Sequence, residues 1–193
     1  MEQNQYLCSV TSTSKKYSLN LQKGFKPEAL GKGCWIGVIN AERIPPHIGM
    51  IFNGRYCSLN IKGKEIDVET SVLLRKIEIL RIPALFIKLI PHPVFSVDFL
   101  HEHFKLELEK HEKVTLETTC FAPVRAFMQE NYLLKQEELG FLFELFPILY
   151  REQMIEKVFG LHVSDDNANT FSFVPYTQKS IEDKLNDIQH VKQ

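Results

Sequence analysis

The run HIGMIFNGRYCSLN, residues 47–60, decides how this chain folds. At its centre stand Asn53 and Gly54, and both residue types accept the positive φ that a two-residue type I′ turn demands. Apolar β-formers flank the pair, so the stretch reads as a β-hairpin. The short loop lets the register be counted outward. Phe52 falls opposite Arg55, Ile51 opposite Tyr56, Met50 opposite Cys57, Gly49 opposite Ser58, Ile48 opposite Leu59 and His47 opposite Asn60. Residues directly opposite on antiparallel strands have Cβ atoms about 4.5–5.5 Å apart. The count sets His47 beside Asn60 on one face, and alternation sends Cys57 to the other.

Working upstream, Pro45-Pro46 closes a loop before His47, and Cys34 to Ile39 reads as a buried strand after the punctuation of Gly31-Lys32-Gly33. Cys34-Trp35 is taken as core packing. Residues 1–30 are polar and rich in Ser, Thr and Lys, with one short strand expected at Tyr6 to Val10. Downstream, a third strand follows Gly63, around Glu65 to Val68. Apolar residues at 72, 73, 74, 77 and 80 suit an amphipathic helix over Glu69 to Leu80. Pro83 stops it, Ala84 to Ile90 is another strand, and Ser96 can cap a helix from Val97 to about Phe104.

The run KLELEKHEKVTLET, residues 105–118, alternates polar and apolar. It favours a hairpin turning at Lys110 to Lys113, with a continuous polar helix as the alternative. Thr118 or Thr119 reads as an N-cap, with Cys120 in the first turn and Pro123 where its missing N–H costs little. Val124, Phe127, Met128 and Leu134 supply that helix's buried stripe. A second helical segment is expected from Gln136 to Phe159, bent or broken at Pro147 and ended by Gly160. A short strand at Phe171 to Val174 and a charged helix from Ser180 to Val191 complete the chain. These readings add up to one α+β domain over residues 1–193, a small antiparallel sheet packed against helices. Its parts are a polar segment at 1–30, a core at 31–135 and a helical C-terminal extension at 136–193.

Composition agrees with a packed core, since 44% of residues are hydrophobic and 24% charged. With 23 Lys and Arg against 24 Asp and Glu, the net charge of -1 gives no charge-driven recruitment of nucleic acid. The longest apolar stretches, such as Pro83 to Ile90 and Phe141 to Tyr150, fall short of the about 20 residues a membrane helix needs, so no transmembrane segment is expected. The N-terminus shows no basic region followed by an apolar run. Cys8, Cys34, Cys57 and Cys120 are irregularly spaced without a CxxC, which reads as reduced thiols in a cytoplasmic protein.

Three residues could carry chemistry together. Cys120 stands at a predicted helix N-terminus, where free N–H groups and the macrodipole favour a thiolate. His47 begins a central strand and can move a proton. Asn60, its cross-strand neighbour, can fix the imidazole tautomer. A thiol, a base and an orienting polar group are what cysteine-based acyl transfer needs.

The order of a histidine strand, hairpin, helix, strand and then a cysteine at a helix start resembles the circularly permuted branch of the papain-like fold. That branch includes the NlpC-type hydrolases and the lecithin–retinol acyltransferase-like proteins. Their H-x-G strand is matched by His47-Ile48-Gly49-Met50-Ile51, and the strand before it by Gly31 to Asn40. The resemblance covers roughly residues 31 to 135. It implies a permuted papain-like fold, with Cys120 as nucleophile, His47 as base and Asn60 as the third polar member. The expected activity is that of a cysteine hydrolase or acyltransferase on an amide, ester or thioester, without a cofactor. A small molecule, a peptide or a lipid would then be the substrate. The cysteine's setting, Thr118-Thr119-Cys120-Phe121-Ala122-Pro123, departs from the family's pattern.

The rival reading is a non-catalytic binding or scaffolding module whose helices at 120–159 present an interaction face, including self-association into a homo-oligomer. A third reading groups His101, His103 and His111 with nearby glutamates as metal ligands. No H-E-x-x-H or paired-cysteine spacing supports it, so these residues read as a solvated charged face and no metal is expected.

Overall fold

The computed structural model describes residues 17–115, 117–134, 139–164 and 169–183. Strands β2 (Cys34–Ile39), β3 (His47–Phe52), β4 (Arg55–Asn60), β5 (Gly63–Glu69), β6 (Ala84–Leu89) and β7 (Ile155–Leu161) form one six-stranded sheet. Its order is β5-β4-β3-β2-β6-β7, and every neighbouring pair is antiparallel. A second, two-stranded sheet joins β1 (Tyr17–Asn20) to β8 (Thr170–Phe173). Helices include α1 (Thr70–Leu80), α2 (Val97–Glu109), α3 (Phe121–Tyr132) and α4 (Leu142–Arg151), with a 3-10 turn at Pro27–Gly31. Among the described residues no helix is long and apolar enough to cross a membrane.

The hairpin at Asn53-Gly54 forms in the counted register. Both turn residues have positive φ, and Phe52, Ile51, Met50 and Gly49 pair with Arg55, Tyr56, Cys57 and Ser58. Alternation then sorts the strands' side chains into two cores. Ile48, Met50, Phe52 and Cys57 face α2, α3 and α4, whereas Ile51, Tyr56, Trp35 and Phe86 face α1. On the α1 face two glycines pair across the strands, Gly37 with Gly49. The Tyr56 ring lies flat over them, so that a Cβ on Gly49 would stand 2.6 Å from its ring and 2.6 Å from the Cys57 carbonyl oxygen. The H-x-G glycine therefore has a packing reason of its own.

Three expectations need correction. Residues 105–109 are not the first arm of a hairpin but the last turns of α2. Leu100, Phe104 and Leu108 recur every four residues and are at most 1% exposed, so the helical stripe overrides the local alternation. The segment read as helix up to Phe159 splits into α4 and the strand β7, so the C-terminal extension is not wholly helical. Gly160 ends no helix; it lies within β7, where a Cβ would meet Val163 at 2.6 Å. A strand, β1, also stands in the polar N-terminal segment. The strand expected at Tyr6 to Val10 lies outside the described residues. Of the C-terminal helix, residues 178–183 are described and helical, and the remainder lies outside.

The N-terminal segment crosses to the main sheet at one point. The Gln22 N–H donates to the Val158 carbonyl at 2.7 Å, and Gln22 forms a parallel bridge with Phe159 on β7.

Candidate functional site

Where β3 begins, β4 ends and α3 starts, a cavity of about 760 Å³ opens, and Cys120, His47 and Asn60 all line it. Its position follows from a parting of two strands. The paired residues of β3 and β4 run from the turn to Gly49–Ser58 and stop there. The next pair in register, Ile48 with Leu59, would have turned the Ile48 N–H towards β4. That N–H instead faces the Cys120 sulfur, whose thiol lies 3.9 Å from the Pro46 carbonyl oxygen. The half-buried thiol thus sits on the two backbone groups flanking His47, in the place a strand neighbour would take.

The N-cap of α3 is Cys120 itself and not Thr118 or Thr119 as the sequence suggests, so the sulfur stands just ahead of the first helical turn and not within it. Burial nevertheless pushes its thiol above the ordinary cysteine pKa, and the N–H groups of Ile48 and of Cys120 itself offset only part of that. The resting sulfur is a protonated thiol at neutral pH.

The imidazole turns to the other side of the strand. His47 Nε2 lies 3.2 Å from Ser58 Oγ, and Ser58 Oγ donates to Glu65 Oε2 at 2.8 Å. The register makes this chain possible, because Ser58 sits on the same face as His47 and pairs with Glu65 on β5. A hydroxyl has one proton, and here the Glu65 carboxylate takes it. Ser58 must then accept from His47 Nε2–H, which leaves Nδ1 as the bare lone pair. No described residue bonds Nδ1. Burial lowers the His47 pKa; Glu65 opposes that and Lys76 adds to it, so the ring is neutral at pH 7.

Asn60 shares the cavity but does other work. Its Oδ1 accepts the Lys62 N–H at 2.7 Å, closing the turn into β5, and its carbonyl accepts the N–H of Val114, in the segment after α2, at 2.9 Å. No hydrogen bond among the described residues joins Asn60 to His47 or His47 to Cys120. The orienting partner is Ser58, backed by Glu65. Both were missed, although the hairpin count had already put Ser58 on the His47 face. Tyr56 also lines the cavity, 1% exposed, with its hydroxyl turned towards Ser58.

His101, His103 and His111 do not converge. At about 100° per residue, positions two apart on a helix point to nearly opposite sides. His103 bonds Asn131 Oδ1 at 2.9 Å and lies 3.4 Å from Glu130, whereas His101 faces Asp67 at 2.7 Å. His111 lies beyond the end of α2. Cys34, Cys57 and Cys120 are free thiols, and Cys8 lies outside the described residues.

Chemically, the arrangement offers a neutral thiol, a neutral imidazole with one open lone pair, and a carboxylate behind it to support a positive ring. Comparison with known proteins gives no match: no family model, curated protein or solved structure aligns significantly with this chain.

Proposed function

We propose that this chain is a thiol-dependent acyl-transfer enzyme, a hydrolase or acyltransferase of permuted papain-like design, acting on an amide, ester or thioester. Cys120 is the nucleophile and His47 the general base. The observation that carries this reading is the seat of the Cys120 thiol on the Pro46 and Ile48 backbone groups either side of His47, with His47 Nε2 held by Ser58 and Glu65. Resting thiol and imidazole are both neutral, so the proton moves during the reaction and not before it. As sulfur attacks the carbonyl carbon, its proton passes to His47 Nδ1 through a bridging water or a turn of the ring, since no bond joins the two at rest, and Glu65 steadies the imidazolium through Ser58. The Cys120 N–H at the helix start faces the developing oxyanion. His47 then protonates the leaving group, and water or another acceptor resolves the acyl-thioester. Apolar lining from α1 (Val72 and Ile77) and from the starts of α3 and α4 (Phe121 and Phe141) suits an acyl group.

The raised thiol pKa and the bond to Pro46 favour a second reading, a binding module in which Cys120 fastens α3 to β3. An activated acyl donor separates the two. Incubation with p-nitrophenyl esters of increasing chain length, followed by intact-mass analysis, should show one acyl group on Cys120. His47→Ala should slow acylation by about 100-fold or more, within the usual range for losing a general base, and Cys120→Ser should abolish it. Acylation no faster than that of an unfolded control thiol, and indifferent to His47, would leave the binding module in its place.

A further inference from the structure

We propose a divalent-metal site on the opposite face of β4, where Cys57, Asp67 and His101 converge from β4, β5 and α2. Its natural occupant is a borderline-soft tetrahedral cation of the zinc type. The Cys57 sulfur lies 3.7 Å from His101 Nε2 and 3.9 Å from Asp67 Oδ1, and the latter two atoms are 2.7 Å apart. All three donor atoms fall within 4.8 Å of one another. Zinc bonds of about 2.0–2.3 Å give tetrahedral edges of about 3.3–3.6 Å. The two sulfur edges are already close to that, and the nitrogen–oxygen edge has only to open as its hydrogen bond is replaced.

The backbone is shaped to bring these groups together. Between the pairs Tyr56–Val68 and Ser58–Glu65, β4 has one residue, Cys57, while β5 has two, Ile66 and Asp67. This β-bulge puts Asp67 at a φ of 57°, the left-handed region that aspartate tolerates better than most residues, and turns its carboxylate towards His101 on α2. The Phe52 ring stacks on His101 at 5.1 Å and fixes the imidazole plane.

Charge and access fit as well. A thiolate, a carboxylate and a neutral imidazole bring two negative charges to a dication, so the filled site is neutral in a largely buried place. Lys105 lies on the other carboxylate oxygen, Oδ2, at 3.7 Å and is itself paired with Glu102 at 2.6 Å, so Oδ1 is left facing His101 and Cys57. Cys57 is fully buried and the His101 side chain 14% exposed, but the Asp67 side chain is 42% exposed and gives solvent a route to the fourth position. The other cluster of suitable residues, His103, Glu107 and Glu130, has no thiol, and Lys110 already occupies Glu107 at 2.5 Å.

The full chain, stripped with a chelator, is titrated with Co²⁺ and then Zn²⁺. One Co²⁺ per chain should bind with a near-ultraviolet thiolate-to-cobalt absorption, and Zn²⁺ should displace it and raise the melting temperature. Cys57→Ser should lose that absorption, and His101→Gln should weaken binding by at least about tenfold, the smaller end of what an outer hydrogen-bond partner costs. Asp67→Asn replaces Cys57→Ser if the latter does not fold, as judged by circular dichroism. Absence of the thiolate band in the wild type, or its persistence in Cys57→Ser, overturns the assignment.

Discussion

A Cβ at Gly49 would meet the Cys57 carbonyl and the Tyr56 ring, both at 2.6 Å, and neither is free to move. Backbone and a ring that is 1% exposed must both give way. Gly49→Ala should therefore cost about 1–3 kcal/mol, the range for an overpacked core. Gly31→Ala, where nothing lies within 4 Å, should change little; urea unfolding of both proteins gives the comparison. At this scale the site was half legible. Counting from Asn53-Gly54 fixed which side chains share the His47 face, and that face includes Ser58 and Asn60. It could not tell which of the two bonds the imidazole, because the strands part after Gly49–Ser58. The parting is filled by a thiol 74 residues along the chain from the Pro46 carbonyl it meets, and no local pattern carries that contact.

Ser96 caps α2, its Oγ accepting the Phe99 N–H at 3.1 Å, and the helix packs on β3 and β4. Ser96→Ala should lower stability by about 1 kcal/mol, seen as a fall in the urea midpoint with an unchanged m-value. Elements with one dominant signal were readable in advance. The turn gave β3 and β4, the spacing of 72, 73, 74, 77 and 80 gave α1, although Val72 and Leu80 stay exposed, and Pro83 marked the start of β6. Those with competing signals were not. In α2 the every-other-residue alternation of 105–109 masked the four-residue stripe that buries Phe104 and Leu108. In β7 the preceding apolar helix, itself carrying Pro147, hid a short strand whose pairing partner β6 lies far back in the sequence.

For the whole molecule, the neutral His47 ties folding to pH. Burial lowers its pKa in the folded state, while the unfolded chain keeps the ordinary value of about 6.5. Between those two values the unfolded chain binds more protons, so this group's share of stability is present above about pH 6.5 and is lost as the pH falls below it. Urea midpoints measured from pH 5 to 8 should decline on the acid side, and His47→Gln should flatten that decline. The sheet's two rims have a further consequence. At β7 the Gln22 backbone already occupies the Val158 carbonyl. At β5 the bulge bends the strand, and Lys64, Glu65, Asp67 and Glu69 load it with charge. A fibril grows by laying identical chains along straight, neutral rows of unpaired backbone. Here one row is partly capped by the chain's own N-terminal segment and the other is crooked and charged, so a second copy meets side chains before it meets backbone.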